Sequence, residues 1–166
     1  AVFHAPAFRA RFGQRLAVDF PRLPLTGDRE RVRELCAAGH RLVSLHTSLP
    51  AAETSGALDS PAWSEAGGYR VAPGYPKFMP DDGGKKAGAA GRLSINPGTW
   101  LHPVALADWQ FQLGGYRVLD RWLQSRRRTR LSVAQRRYLA QLLHVLSGTR
   151  KEVARLEALL SPWPWD

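Results

Sequence analysis

A stripe of leucines near the C-terminus constrains the fold of this chain more than any other feature. Ser132 and Gln135 have the spacing of a capping box, in which each side chain bonds the backbone N–H of the other residue. Apolar side chains then recur at helical spacing, at Leu139, Leu142, Leu143, Leu146, Val153, Leu156 and Leu160. The pattern predicts one long helix from this cap to near Leu160, with an apolar face that must pack against other elements.

Two more helical patterns lie near the N-terminus. Pro6 suits the first turn of a helix, and apolar residues recur every four positions as far as Leu16. Thr26 or Asp28 can cap a second helix, which should end before Pro50. Its expected apolar face comprises Val32, Leu35, Cys36, Leu42, Val43 and His46. We therefore expect a helical N-terminal region that buries the thiol of Cys36.

The middle of the chain has the pattern of short strands. The runs "YRVA", "YPKFM" and "GRLSIN" alternate apolar and polar residues between prolines and glycines, and "DWQFQLGG" suits one more strand or its approach. After the glycine pair, a short helix is expected from Tyr116 to about Ser125. The sequence thus predicts an α+β fold. A small, mostly antiparallel sheet with loops should be flanked by an N-terminal helical region and a C-terminal helical pair.

The charge of the chain favours anionic partners. Lys and Arg number 24 against 14 Asp and Glu, a net charge of +10. Such a balance favours phosphate neutralisation and so nucleic acid, although a composition rich in Arg, Ala, Gly and Pro could also come from a GC-rich genome. No apolar stretch approaches the length of a membrane span, and the N-terminus lacks a signal-peptide pattern. We expect a cytoplasmic protein without a membrane partner.

Catalytic motifs are missing from the sequence. It has no glycine-rich phosphate loop, dinucleotide fingerprint, nucleophile elbow or zinc signature. The five histidines are scattered, and His40 and His46 lie six residues apart, so they would not share a helix face. Cys36 is the single cysteine, which excludes an internal disulfide and a thiolate metal cluster. We therefore predict no catalytic residues, metal or cofactor in this chain, and assign it to binding.

Two groups of cations are candidates for contact with DNA phosphates. Four arginines follow the predicted short helix, namely Arg126, Arg127, Arg128 and Arg130. Guanidinium groups bind phosphate oxygens in bidentate fashion, and the alternative is a solvated turn whose cations cap the helix C-terminus. The second group lies on the predicted sheet and its loops, and comprises Lys77, Lys85, Lys86 and Arg92. Both groups would position DNA without reading its sequence.

Base-reading candidates come from the same region. Tyr69 and Arg70 lie among the cations of the sheet, although a tyrosine in a strand is often a packing residue. Gln110 and Gln112 are two residues apart, which would place both amides on one side of a strand. Glutamine amides can pair with the adenine edge, and a merely polar strand face is the alternative. We expect sequence discrimination in residues 68–92 and at these two glutamines.

At its two ends, the chain resembles a known family. The block "VFHAPAFRARFGQRLAVDFPRLPL" followed by "LVSLH", and the later "DWQFQLGGYRVLDRWLQSRRRTRLS", resemble the C-terminal specificity domain of type ISP restriction-modification enzymes. The matching blocks are residues 2–46 and 93–146, and Gly114 and Gly115 match the pattern as architecture. Residues 47–92 match no fixed pattern, and we expect this region to vary with the target sequence. The resemblance supplies no base-reading residue.

The resemblance implies a function in DNA recognition. Residues 1–166 would be a monomeric target recognition domain, the C-terminal part of a longer enzyme, that holds duplex DNA for an N-terminal adenine methyltransferase. The methyltransferase motif "NPPY" and the S-adenosylmethionine glycine motif are absent here, so catalysis and that cofactor would belong to the parent polypeptide. Val2 and Phe3, which no preceding element covers, also suggest an excised domain.

Two other classes of function remain open. The first is a binding module of a bacterial defence protein. The long C-terminal helix, with Trp163 and Trp165, could make it a protein-interaction module whose basic charge is only compositional, or the basic charge could bind nucleic acid without sequence preference. A small nuclease with an unrecognised site is the second alternative. Salt-dependent DNA binding would separate recognition from the interaction module, and metal-dependent DNA cleavage would support the nuclease.

Overall fold

The computed structural model describes residues 2–20, Arg22 and residues 26–47, 61–64, 66–83 and 89–161. It confirms the α+β fold with a small antiparallel sheet. The chain forms two compact units: residues 1–49 with 147–166, and residues 50–146. Across these described segments, every helix is too short or too polar to cross a membrane.

The first unit is helical. A short 3-10 helix, Val2–His4, leads into α1, Pro6–Val18, which has Pro6 in its first turn. Helix α2, Arg29–Thr47, begins after Asp28, whose Oδ1 accepts hydrogen bonds from the backbone N–H of Glu30 (3.0 Å) and Arg31 (3.2 Å). Asp28 is therefore the cap of this helix. The second half of α5, Val133–Leu160, completes the unit.

The core of this unit corrects two sequence predictions. Helix α2 buries Ala38 and Leu42, with Leu35 packed beside them, whereas Cys36 is exposed. Leu35, Ala38 and Leu42 are spaced three and four residues apart, which places them on one buried face of the helix. The sequence prediction missed this face because alanine is a small and weakly apolar residue. Val2 is only 5% exposed because it packs in a cluster with Phe8 and Leu160. The prediction that Val2 is uncovered is therefore wrong, whereas Phe3 is 37% exposed.

The second unit contains a four-stranded antiparallel sheet. Its strands are β1 (Ala62–Trp63), β2 (Lys77–Pro80), β3 (Ala90–Asn96) and β4 (Thr99–Ala105), in the order β1-β4-β3-β2. Strand β3 pairs with β2 through Phe78↔Leu93 and with β4 through Leu93↔Leu101. Because side chains alternate between the two faces, these residues share the face that lies on the core. Lys77, Met79 and Arg92 point to the other face.

The sequence did not predict β1 and β4. Strand β4 contains Trp100, His102 and Pro103, and Pro103 breaks the alternating pattern that marks a strand. The run "YRVA" was predicted as a strand but makes only one isolated bridge, Arg70↔Arg130. Strand β4 follows β3 through a two-residue turn, so Pro103 accounts for its omission, whereas β1 and "YRVA" pair with residues about 40 and 60 positions away.

After the sheet, the chain turns back over its core face through short elements. Helix α3, Leu106–Trp109, precedes a hairpin of β5, Gln112–Leu113, and β6, Tyr116–Arg117. Gly114 and Gly115 form its two-residue turn with φ of 56° and 86°. Positive φ at both positions is the requirement of a type I′ turn, and glycine meets it without strain. The glycine pair is therefore explained by backbone conformation.

Two helices close the second unit, as predicted. Helix α4 spans Val118–Gln124, and the predicted start at Tyr116 is wrong because Tyr116 and Arg117 form β6. Helix α5 begins at Val133 after a capping box. Gln135 Oε1 accepts from the Ser132 N–H (2.9 Å), and Ser132 Oγ accepts from the Gln135 N–H (3.2 Å). The core combines the sheet, both helices and the segments between them. Its buried residues are Val71, Leu93, Ile95, Leu101, Val104, Trp109, Leu119, Leu123, Leu131, Leu139, Leu143 and Leu146.

Candidate nucleic-acid interface

The arginine cluster lies in the connection between α4 and α5. We name residues 125–130 the arginine turn. Residues 128–131, at the end of this turn, pair with residues 69–71. The Arg128 N–H donates to the Val71 carbonyl (2.8 Å), and the Leu131 N–H donates to the Tyr69 carbonyl (2.8 Å). The isolated bridge between Arg70 and Arg130 belongs to the same pairing. These backbone bonds bring Arg70, which is about 60 residues away in sequence, to the arginine turn.

Arg126 is held by contacts within the protein. Its guanidinium carbon lies 3.8 Å from the centroid of the Trp122 ring, and Nη1 donates to the Trp122 carbonyl (2.8 Å) and to Ser125 Oγ (2.9 Å). Its Nε is buried without a hydrogen-bond partner in the structure. The Trp122 ring in turn stacks on Tyr138. Arg126 thus fastens the turn to α4, and its role as a phosphate contact stays a prediction.

The other three arginines of the turn are exposed. Arg127 Nε donates to the Tyr75 carbonyl (3.1 Å), which leaves its two terminal nitrogens to other partners. Arg128 has a φ of 65°, a left-handed conformation that costs a non-glycine residue roughly 1–2 kcal/mol. Arg130 lies opposite Arg70, and neither forms an ion pair with a residue that the structure describes. Like charges directly opposite each other are destabilising.

Lys77 continues this set of cations onto the sheet. Its Nζ lies 5.1 Å from the centroid of the Tyr75 ring, and the Tyr75 carbonyl accepts the bond from Arg127. Tyr75 therefore contacts both the arginine turn and strand β2. We name the exposed cations joined in this way the basic surface: Arg70, Lys77, Arg127, Arg128 and Arg130.

Arg92 has a different environment from Lys77, although both side chains leave the same face of the sheet. The Arg92 guanidinium lies 5.3 Å from the centroid of the Trp100 ring, and its Nε is 4.0 Å from Asp81 Oδ1. Asp81 Oδ2 is also 2.8 Å from His102 Nε2. An exposed pair at this distance contributes little to stability, and it leaves most of the donors of Arg92 free.

The base-reading candidates do not form one site. Tyr69 is half-buried between the Trp63 ring, 5.8 Å away, and the guanidinium of Arg136, whose carbon lies 3.6 Å from its ring centroid. The expected pairing of two glutamines along one strand is wrong. Gln110 ends α3 in a helical conformation, with its N–H bonded to the Leu106 carbonyl, and only Gln112 lies in a strand.

An open groove of about 550 Å³ lies beside the edge strand β2. Its lining residues come from β2, α3, β6 and α4, and are Pro76, Lys77, Phe78, Met79, Leu106, Trp109, Gln110, Arg117, Asp120 and Gln124. Two of them, Lys77 and Gln110, were predicted from the sequence. Arg117 and Gln124 were missed, because their position beside the groove follows from the packing of the hairpin and α4 against the sheet.

Four residues named in the sequence analysis lie outside the part of the chain that the structure describes. Lys85 and Lys86 lie outside the described residues, as do Trp163 and Trp165. Within the described ranges, no three His, Cys, Asp or Glu side chains are grouped so that they could hold a metal ion. The side chains that the structure does bring together are cations, amides and aromatic rings.

This combination defines a domain suited to binding anionic, polar ligands. The family model for the Type ISP C-terminal specificity domain matches residues 1–144, and the chain belongs to that family. Specificity domains of this family serve target recognition in restriction-modification enzymes and are not catalytic in themselves.

A solved structure has the same fold. It is a nuclease-deletion mutant of the Type ISP restriction-modification enzyme LlaGI in complex with a DNA substrate mimic. The likeness has a TM-score of 0.58 at 17% sequence identity, and covers 99% of this chain and 16% of that one. The chain therefore corresponds in length to a small part of that enzyme. The comparison with curated proteins gives no match.

Proposed function

We propose that this chain binds duplex DNA as a target recognition domain and positions an adenine methyltransferase of the same polypeptide on a short sequence. The observation that carries the proposal is the placement of Arg70 opposite Arg130 on the basic surface, with no acidic partner among the described residues. Two such cations repel each other. A phosphate group between them would convert this repulsion into two charge-assisted hydrogen-bonding interactions.

The backbone around these cations favours a fixed phosphate contact. The pairing of residues 69–71 with 128–131 fixes the positions from which Arg70, Arg128 and Arg130 project. A side chain that starts from a fixed backbone loses less conformational entropy when it binds. Each phosphate that the basic surface neutralises would also release counterions, which makes binding depend steeply on salt.

The proposal extends to the parent protein. Residues 1–166 would form its C-terminal part, residues 47–92 would vary with the DNA target, and the chain would act as a monomer in the cytoplasm. The parent would bind S-adenosylmethionine in an upstream domain with an NPPY-type motif. That domain would flip the target adenine out of the duplex, because the reactive nitrogen is inaccessible within the base stack. The full reading frame and methylation mapping in cells with and without the gene would test this extension.

The binding proposal is tested by titrating labelled duplex DNA with the purified chain at several salt concentrations and measuring fluorescence anisotropy. The variant R127E/R128E/R130E should bind every duplex more weakly and with a shallower salt dependence. A matched control is R9E/R11E/R15E, which makes the same charge change on exposed positions of α1. The control should retain most of the affinity, because a general loss of net charge acts less strongly than the loss of direct contacts.

Two results would contradict the proposal. If both triple variants lose affinity equally, the basic surface has no special role and the charge of the chain acts as a whole. If the unsubstituted chain shows no salt-dependent binding to duplex DNA, the interaction module becomes the better interpretation. Cleavage of DNA by the purified chain with a divalent metal would instead support a nuclease.

A further inference from the structure

The hairpin of β5 and β6 is unusually accessible for an element so close to the core. All six residues from Gln112 to Arg117 are exposed. The hairpin has only two paired residues in each strand and a two-glycine turn, so it is narrow. A two-stranded ribbon of this kind fits within the major groove of B-DNA, which is about 12 Å wide.

The two faces of the hairpin carry different side chains. Gln112 lies directly opposite Arg117, and Leu113 lies opposite Tyr116. Because cross-strand partners project to the same side, one face presents an amide beside a guanidinium and the other presents two apolar groups. Leu113 and Tyr116 are 53% and 55% exposed, so the core does not use them.

Arg117 is oriented without losing its hydrogen-bond donors. Its guanidinium carbon lies 5.1 Å from the centroid of the buried Trp109 ring, and it forms no hydrogen bond or ion pair with any residue in the described segments. The cation–π contact restricts the side chain, while its terminal nitrogens remain available to a ligand. Arg117 also lines the groove beside β2, together with Lys77 and Gln110.

We propose that the hairpin Gln112–Arg117 enters the major groove of the target duplex, where Arg117 reads a guanine and Gln112 reads an adjacent adenine. Arginine can bond O6 and N7 of guanine, and glutamine can bond N6 and N7 of adenine. This inference rests on the proposed function. It differs from that proposal because it assigns sequence discrimination to the hairpin, whereas the basic surface contacts only phosphates.

The position of the hairpin favours DNA over a protein partner. Lys77 lines the groove that Arg117 also lines, and it contacts Tyr75, which accepts a hydrogen bond from Arg127. The hairpin is thus linked through the groove to the basic surface. A protein partner that covered the hairpin would have to bury the unpaired Arg117 guanidinium, which is costly unless the partner supplies an acidic group.

The experiment compares variants by selection from a randomised duplex library at fixed salt. R117A should lose the preference for guanine at one position. Its affinity for the sequence that the unsubstituted chain selects should fall on the order of tenfold to a hundredfold. Q112A should lose the preference for adenine next to it. The matched control is R130A, which removes the same side chain from the basic surface. It should weaken binding to all duplexes alike and leave the preferred sequence unchanged.

A chemical footprint gives an independent readout. Dimethyl sulfate methylates guanine N7 in the major groove. The unsubstituted chain should protect one guanine of the selected sequence from methylation, and this protection should be lost with R117A. A hairpin that instead contacts a protein domain would leave both the preferred sequence and the footprint unchanged in R117A and Q112A, which would overturn the inference. An unsubstituted chain that binds duplexes but selects no sequence would overturn it as well. An unsubstituted chain that shows no salt-dependent binding would, in contrast, contradict the proposed function itself.

Discussion

The guanidinium of Arg126 stacks on the indole of Trp122 at 3.8 Å, and Trp122 stacks on Tyr138 with the ring centroids 5.7 Å apart. This column joins the arginine turn to α4 and to the start of α5. Its consequence is that neighbouring arginines have different contacts. Arg126 packs against side chains of the protein, whereas Arg127, Arg128 and Arg130 face solvent.

We expect R126A to destabilise the protein by about 1–3 kcal/mol. The estimate combines a partly desolvated cation–π contact with the loss of a hydrogen bond to the Trp122 carbonyl. Thermal or urea unfolding of the chain measures this change. R127A is the matched control and should lie within about 0.5 kcal/mol of the parent, because Arg127 is exposed. Equal stability of R126A and the parent would show that the column contributes nothing.

Arg128 should show a conflict between stability and binding. Its φ of 65° strains a residue with a side chain, so R128G should relieve roughly 1 kcal/mol, offset in part by the entropy cost of glycine. The free energy of unfolding should therefore stay the same or rise, while the affinity for duplex DNA falls. R130G is the control: the residue is in a β-bridge, so glycine should lower both stability and affinity. Loss of stability in R128G would contradict the strain argument.

The glycine turn of the hairpin should tolerate little change. Gly115 has a φ of 86°, so G115A should cost about 1 kcal/mol and weaken the hairpin. Gly13 in α1 is a matched control, because nothing lies within 4 Å of a Cβ added there. G13A should stabilise the protein by up to about 1 kcal/mol. Unfolding measurements on both variants test the turn type, and equal gains in stability would refute it.

Tyr69 should affect stability more than sequence preference. Its ring packs between Trp63 and the guanidinium of Arg136, whose Nε is buried without a hydrogen-bond partner. We expect Y69A to cost about 3 kcal/mol, as for other large aromatic residues cut back to alanine. Y69F should be nearly neutral, since it keeps the ring. A change of preferred DNA sequence in Y69F at unchanged stability would restore Tyr69 as a base-reading residue.

Several elements could be predicted from the sequence because they depend on neighbours along the chain. The capping box of Ser132 and Gln135 and the proline start of α1 both express local backbone rules. Helix positions and the α+β class followed from the same local patterns. The resemblance at the two ends also led to the family, because its motifs are short and continuous in sequence.

The tertiary structure decided the strand pairing and the surface. Strand β1 was missed because its pairing with β4 is non-local, and β4 was missed because Pro103 interrupts its alternating pattern, although β4 follows β3 through a two-residue turn. Gln110 lies outside the predicted strand because it ends helix α3. Arg70 meets Arg130 only after segments about 60 residues apart pack together, whereas Arg117 reaches Trp109 because the β5–β6 hairpin returns the chain toward α3. The sequence by itself determined the helices, turns and charge of this protein, since these depend on residues a few positions apart. Which cations face a common ligand depends on long-range packing, and only the folded chain reveals it.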